Sequence, residues 1–171
     1  MIAQRYSVAY ATFPLLLLTF CLTLTLYAQV SAQTPDTPVN TLSITVRVTG
    51  ARNAEGKIGV ALFRTAEGFP EEYSKATAGQ WVQIDPHTLS AQAIFNNVPR
   101  GSYAVSVLHD ENLNGKLDRS FVCLPGLCMP KEGYGASNNP PKRLGPPKFD
   151  DAKFTLDRAD VDLEIKLIYW L

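Results

Sequence analysis

A strict alternation of apolar and polar residues is the feature that most constrains the fold of this 171-residue chain. In residues 41–48 every second position is apolar: Leu42, Ile44, Val46 and Val48. Residues 161–169 repeat this arrangement at four positions: Val161, Leu163, Ile165 and Leu167. Because successive side chains of a β-strand point to opposite faces, a period of two residues predicts a strand with one buried face. Both segments are therefore predicted to be half-buried strands.

Five further segments between these two have the length and composition of strands, and residues typical of turns separate them. The seven predicted strands are residues 41–48, 57–63, 80–84, 88–95, 103–108, 152–156 and 161–169. Residues 71–78 are predicted to form one or two turns of helix, and residues 110–151 a long irregular loop. A chain with many short strands and no long amphipathic helix predicts an all-β, antiparallel two-sheet β-sandwich of the immunoglobulin-like kind.

The N-terminal segment has the composition of a secretory signal peptide. Arg5 supplies a positive charge, residues 9–26 are uncharged and rich in leucine, and Ala32 ends a cleavage motif of small residues. We predict a signal peptide over residues 1–32, with Ala28 as a second cleavage position. The alternative is a permanent membrane anchor, because about 18 apolar residues are the lower bound for crossing a bilayer.

Cleavage would leave a flexible linker at residues 33–40 and a periplasmic or secreted domain at residues 41–171. The mature chain would carry 15 basic and 16 acidic residues, since Arg5 is the one charged residue removed. So small a net charge predicts no nucleic-acid partner, and no membrane partner once the signal peptide has been removed.

Two cysteines, Cys123 and Cys128, remain in the mature chain because Cys21 leaves with the signal peptide. An even pair in an oxidising compartment predicts a disulfide bond, and the Pro-Gly turn at residues 125–126 brings the two ends together. A catalytic thiol pair has C-x-x-C spacing, and a zinc site needs more thiolate or imidazole ligands than are available. Both alternatives therefore have less support.

Residues 110–118 place oxygen-bearing side chains at the alternating positions of an acidic calcium loop. The predicted calcium ligands are the side chains of Asp110, Asn112, Asn114 and Asp118, the backbone carbonyl of Lys116 and, from outside the loop, Glu132. Gly115 stands at the position that requires a sharp turn, whereas Phe121 occupies the twelfth position, where a bidentate glutamate is usual. Because the loop carries little negative charge, we expect a dissociation constant for calcium on the order of 10⁻⁴ to 10⁻³ M.

Two alternatives use the same residues without calcium. One is a polar turn, in which Asn and Asp side chains bond their own backbone and Asn114-Gly115 makes a tight bend. The other is catalytic, with His109, Asp110 and Glu132 as the acid and base groups of a hydrolase acting on an envelope carbohydrate or peptide. No nucleophile lies at a recognisable spacing from His109, so we predict a protein that is not an enzyme.

Several of these segments resemble the bacterial exported proteins grouped as DUF2141, a domain of unknown function. The residues that carry the resemblance are 101–118, 130–139, 147–152 and 161–169. The resemblance spans residues 41–170 and implies export and a β-sandwich, but no activity. Between Asp118 and Pro130 a segment with both cysteines replaces the short glycine-containing link of the family. Residues 95–105 are also similar to the turn and strand of transthyretin-like and collagen-binding B-type sandwiches.

We therefore expect an exported, non-catalytic binding or structural module of the bacterial envelope, with a calcium-organised loop at residues 110–118. Its partner is expected to be a protein or a carbohydrate of the envelope. Loops on a rigid sandwich commonly carry binding residues, so Tyr134, Asn138 and Asn139 are candidates for an exposed recognition surface. The alternative for Tyr134 is that it folds back over the core.

Overall fold

The computed structural model describes residues 41–124 and 127–170, and for residues 121–127 it does not describe the side chains. These residues all belong to one compact unit, Val39–Leu171. The predicted signal peptide (residues 1–32) and linker (residues 33–40) lie outside the described residues and stay predictions. Within the described part of the chain, no helix has the length and apolar character needed to cross a membrane.

Ten strands are found in the described residues. They are β1 (Thr41–Thr49), β2 (Lys57–Phe63), β3 (Ala78–Val82), β4 (Ala91–Pro99), β5 (Gly101–Asp110), β6 (Arg119–Leu124), β7 (Leu127–Pro130), β8 (Gly133–Ala136), β9 (Phe154–Leu156) and β10 (Val161–Lys166). A 3₁₀ turn, Tyr73–Lys75, lies within the predicted helical segment 71–78, and one short helix, α1, spans Phe149–Ala152. Three short strands, β6 to β8, lie inside the segment that was predicted to be a long loop.

The strands form two main sheets, which confirms the predicted all-β sandwich. The first sheet has the order β10-β1-β4, and the second has the order β3-β2-β5-β8. All pairs of the two sheets are antiparallel except β1 and β10, which run parallel. Period-two alternation identifies the buried face of a strand but not the direction of its neighbour, so the sequence did not indicate the parallel pair.

The core lies between the two sheets and contains the apolar positions that the alternation identified. The fully buried positions of β1 are Ile44, Val46 and Val48, while Leu42 is partly buried against the same cluster. From β10, Ile165 is buried, and Val161 and Leu163 pack against the cluster. The inner side of the second sheet adds a matching row from β2: Ile58, Val60 and Leu62.

β5 is buried on both faces, in contrast to the half-buried strand that its alternation suggests. Tyr103, Val105 and Val107 point into the core between the sheets. The opposite face is covered by irregular segments: Ala104 packs with Ala136 of β8 and Ala152 of α1. Beside them, three phenylalanine rings form a chain of edge-to-face contacts: Phe63, Phe69 and Phe149. The inner face of the second sheet therefore packs on the core, and its outer face is partly covered by irregular segments.

The two sheets are joined along one side by the segment that follows β10. Ile168 exchanges two backbone hydrogen bonds with Tyr134 of β8, at N···O distances of 3.1 and 2.8 Å. The side chain of Asn139 also bonds to the backbone of β10. Its amide group donates a hydrogen bond to the Glu164 carbonyl, and its oxygen accepts one from the Lys166 N–H. Beyond these contacts, Trp170 lies beside Tyr134 of β8 at the cavity, whereas Tyr169 packs against the core.

Candidate functional site

The turn at residues 110–118 begins where β5 ends, and the Asp110 carboxylate holds its centre. This side chain belongs to a residue that is only 2% exposed. One oxygen, Oδ1, accepts the backbone N–H of Asn114 at 3.0 Å, and Oδ2 accepts the N–H of Gly115 at 2.7 Å. Gly115 has φ of +74°, a left-handed conformation that glycine adopts without steric cost. Asp110 thus fixes the tip of the turn.

Asp118 closes the turn on its other side. Its two carboxylate oxygens accept hydrogen bonds from the side-chain amides of Asn112 and Asn114, at 2.7 and 3.0 Å. The Asn114 side-chain oxygen in turn accepts the N–H of Lys116 at 2.8 Å. The predicted calcium ligands are therefore close together, and they are bonded to one another and to the backbone of the turn.

Glu132 connects both ends of the turn, although it lies far from it in the sequence. Its Oε1 accepts the N–H of Glu111 and its Oε2 accepts the N–H of Asp118, each at 2.9 Å. Glu132 is only 3% exposed. Burial raises the pKa of its carboxyl group, the two N–H donors lower it, and the nearby carboxylates of Asp118 and Asp110 raise it further. Glu132 thus holds the two ends of the turn together through hydrogen bonds.

The hydrogen bonds of the turn bear directly on the calcium prediction. All six carboxylate oxygens of Asp110, Asp118 and Glu132 accept a hydrogen bond. Among the residues that the structure describes, no three His, Cys, Asp or Glu side chains are grouped so that they could hold a metal ion. Calcium prefers such oxygen ligands, but here it would first displace the amides from Asp118. These hydrogen bonds are of the kind that the polar-turn alternative requires, and calcium binding at residues 110–118 stays a prediction.

His109 precedes Asp110 and lies on the opposite face of β5. Its ring is fully buried, with Nε2 at 2.8 Å from the Glu55 carbonyl oxygen and Nδ1 at 2.6 Å from the Tyr169 hydroxyl. Because a carbonyl oxygen only accepts, Nε2 carries the hydrogen, and the Tyr169 hydroxyl donates to Nδ1. The same hydroxyl accepts the N–H of Arg52 at 3.2 Å. Both ring nitrogens are thus engaged in structural contacts.

An ion pair continues this network towards the surface. The Arg52 guanidinium donates two hydrogen bonds of 2.6 Å to the Glu111 carboxylate and lies over the Tyr169 ring, 5.0 Å from its centroid. The hydrogen bond from Arg52 lowers the pKa of Glu111 below its usual value of 4.5. His109 and Glu132 are both buried and line neither cavity described for this domain. They therefore lack the access to substrate that the hydrolase hypothesis requires.

A cavity of about 450 Å³ lies on the outer face of the second sheet. Its lining comes from separate parts of the chain: residues within 70–73, 106–108, 115–119, 128–135 and 145–147, and Trp170. Ser106 and Leu108 of β5 form the floor. The turn supplies one wall through Lys116 and Leu117, so the residues predicted to bind calcium hold a wall of the cavity in position.

Three of the aromatic side chains that the structure describes line this cavity. Tyr73 comes from the 3₁₀ turn, and burial raises its pKa above the usual value. Tyr134 of β8 accepts a hydrogen bond of 2.7 Å from the Trp170 indole N–H. The sequence singled out Tyr134 but neither Tyr73 nor Trp170, because no local pattern indicates that they meet it. Asn139, by contrast, caps β10 through its two backbone hydrogen bonds.

The hairpin of β6 and β7 forms the wall opposite the sheet. The Arg119 guanidinium donates to both carboxylate oxygens of Glu71, at 2.5 and 2.6 Å, and so connects the hairpin to the segment before the 3₁₀ turn. The backbone register sets Cys123 opposite Cys128. That pairing agrees with the predicted disulfide bond, which stays a prediction.

One family model matches most of the described domain. Its description is an uncharacterized protein conserved in bacteria (DUF2141), and it matches residues 46–164. The chain belongs to the DUF2141 family. The match includes the turn, Glu132 and the hairpin of this DUF2141 domain, and it ends inside β10, before Tyr169 and Trp170.

Two further comparisons gave no relatives for this DUF2141 domain. No curated protein matches the chain, and no solved structure matches it. No solved structure therefore supports the predicted similarity of residues 95–105 to transthyretin-like and collagen-binding B-type sandwiches. That similarity stays a prediction.

Proposed function

We propose that this DUF2141 domain is an exported, non-catalytic binding module of the bacterial envelope and that its ligand site is the cavity on the outer face of the second sheet. The observation that carries the proposal is the cavity itself. Its volume of about 450 Å³ lies within the range of small-molecule sites, roughly 300 to 1,000 Å³. Aromatic and charged side chains line it, and a rigid strand forms its floor.

The distribution of polar groups favours binding over catalysis. The acid and base candidates His109 and Glu132 are buried in structural hydrogen bonds outside the cavity. The charged residues that do line it include Arg119 and Glu71, which form an ion pair with each other. A general acid or base must reach the proton that it transfers, and neither His109 nor Glu132 meets this condition.

Within this proposal the calcium site at residues 110–118, with Glu132, is a second candidate feature. Three carboxylates lie close enough that Asp110 and Asp118 raise the pKa of Glu132. A divalent cation would relieve this repulsion. The hydrogen bonds of the turn also hold it together without an ion, so calcium would add stability to an already folded wall.

The two tryptophans of the chain provide a direct test of the cavity. Trp170 lines it, whereas Trp81 is 47% exposed on β3 and does not. We expect the indole N–H signal of Trp170 in a ¹⁵N-correlated NMR spectrum to shift in a saturable way when the uncharged aromatic probe 2-naphthamide is added. The signal of Trp81 should shift less, because Trp81 does not line the cavity and touches it only through Tyr73, whose ring centroid lies 6.3 Å from its own.

A matched pair of variants completes this experiment. Met129→Tyr places a ring in the cavity and should weaken binding of 2-naphthamide. Ile94→Tyr adds the same ring to the exposed face of β4 and should leave binding of 2-naphthamide unchanged. The proposal is wrong if the Trp170 signal does not respond, or if both indole signals shift in proportion without saturation.

A further inference from the structure

We infer that the cavity takes a ligand with an apolar body and one negatively charged group, and that Lys116 pairs with that charge. The inference rests on the proposed function, because it assigns a class of ligand to the same cavity. It does not depend on calcium.

The interior of the cavity favours an apolar body. Leu108 of the floor, Leu117 of the turn and Met129 of the hairpin all line it, together with the aromatic rings. Methionine and leucine offer polarisable, apolar surface and no hydrogen bonds of consequence. The prolines at 146 and 147 add a stiff apolar edge. Filling this space with hydrocarbon or an aromatic ring would remove apolar surface from water on both partners.

Lys116 differs from the other charged residues of the rim in its pairing. Glu71 is paired with Arg119, and Glu72 is paired at 3.1 Å with Lys75, which also pairs with Glu67 at 3.0 Å. Lys116 also lines the cavity, and among the described residues no carboxylate lies within ion-pair distance of its ammonium group. The turn holds the backbone of Lys116 through the bond from its N–H to Asn114. The four charged residues that line the cavity sum to zero, and the charge that remains for a ligand is the ammonium group of Lys116.

A sugar fits these groups less well. Carbohydrate hydroxyls need donors and acceptors with free hydrogen-bonding capacity, but no Asn or Gln is among the described residues that line the cavity. The Lys142 ammonium group already lies 4.0 Å from the centroid of the Trp170 ring, and so covers one face of the indole. Tyr134 accepts the Trp170 N–H, which leaves its own hydroxyl hydrogen to donate to an anionic acceptor.

The test compares three probes that share one ring system and differ in charge: 2-naphthoate, 2-naphthamide and 2-naphthylmethylammonium. With the purified protein we expect 2-naphthoate to bind about three- to tenfold more tightly than 2-naphthamide, as measured by isothermal titration calorimetry. Raising the salt concentration should weaken binding of 2-naphthoate and leave that of 2-naphthamide unchanged, because salt screens the exposed charge of Lys116.

Lys116→Met keeps the length of the side chain and removes its charge, so it should abolish the preference for 2-naphthoate over 2-naphthamide. Lys153→Met is the matched control, since Lys153 is an exposed lysine, paired with Asp150, that does not line the cavity. In this control the preference should persist. A thermal melt of both variants shows that they are folded.

Each other outcome has a distinct meaning. If all three probes fail to bind, the cavity is not a ligand site, and the proposed function and this inference fall together. If 2-naphthamide binds as tightly as 2-naphthoate, or if the ammonium probe binds most tightly, the cavity remains a ligand site and the anionic ligand is excluded. If 2-naphthoate is preferred and Lys116→Met leaves that preference intact, the assignment of Lys116 is wrong.

Discussion

The two faces of the second sheet differ in how they are covered. The inner face packs on the first sheet through a continuous apolar cluster that includes Leu62, Val105 and Val107. The outer face is covered by a 3₁₀ turn, a hairpin and a polar turn, which leave a cavity of about 450 Å³ between them. One strand, β5, thus contributes to the core with one set of side chains and to a candidate binding site with the other.

This difference follows from what covers each face. Two regular sheets can interdigitate side chains at close spacing, whereas short irregular segments are fixed by hydrogen bonds at a few points. On the outer face these points are the Asp110 and Glu132 carboxylates and the pair of Arg119 with Glu71. The inner face therefore supplies most of the stability, and the outer face supplies the shape of the cavity.

The largest expected effect is on the inner face. Leu62→Ala removes a fully buried side chain and should lower the free energy of unfolding by about 2–5 kcal/mol. Leu117→Ala makes the same chemical change on the partly exposed wall of the cavity, where we expect a loss of about 1 kcal/mol or less. Urea denaturation of both variants measures the two losses. Equal losses would show that the two faces are packed alike.

The next effect concerns the polar turn. Asp110→Ala leaves the N–H groups of Asn114 and Gly115 without their acceptor and should cost about 1–3 kcal/mol in unfolding free energy. Because Lys116 and Leu117 follow directly, this variant should also weaken binding of 2-naphthamide. Asp110→Asn keeps one acceptor oxygen, so it should lose less unfolding free energy and less affinity for 2-naphthamide. Unchanged binding in a destabilised Asp110→Ala variant would show that the turn does not shape the cavity.

The same variant decides the calcium question. If the turn binds calcium, millimolar calcium raises the melting temperature of the wild-type protein, and Asp110→Ala abolishes that rise. The absence of a shift in the wild-type protein would leave the turn as a purely hydrogen-bonded wall.

The smallest effect is expected at the ion pair beside His109. Since the pKa of Glu111 is lowered by Arg52, the pair contributes stability above pH 4.5, and this contribution is lost as the pH falls through the lowered pKa. Glu111→Gln should therefore be less stable than the wild type at pH 7, by about 1 kcal/mol or less, and the difference should vanish at low pH.

Comparing the two proteins at each pH removes the opposite trend of Glu132, whose raised pKa adds stability as the pH falls. Glu164→Gln is the control, since Glu164 is exposed and in no ion pair among the described residues, and it should show no such dependence. A difference between wild type and Glu111→Gln that grows towards low pH would contradict the proposed role of Arg52.

The first and last strands were the most predictable part of the fold. Ile44, Val46 and Ile165 are buried as their alternation indicated, because a strand with one face on a core needs apolar residues at every second position. The strands β6 to β8 escaped detection, since each is short and shows no alternation over the length needed to identify it. The second buried face of β5 was missed for another reason: Ala104 and Ser106 are small, and small residues do not mark a buried face.

The sequence by itself determined the sandwich and the family, because the first depends on residues close together in the chain and the second on a long, specific match. It could not determine whether the carboxylates of Asp110, Asp118 and Glu132 bind an ion or accept hydrogen bonds from the turn, since both uses require the same oxygen atoms. Only the tertiary structure brought Tyr73, Tyr134 and Trp170 to one cavity and buried His109 away from it. A cavity is the space left between segments distant in sequence, and no local pattern of residues records it.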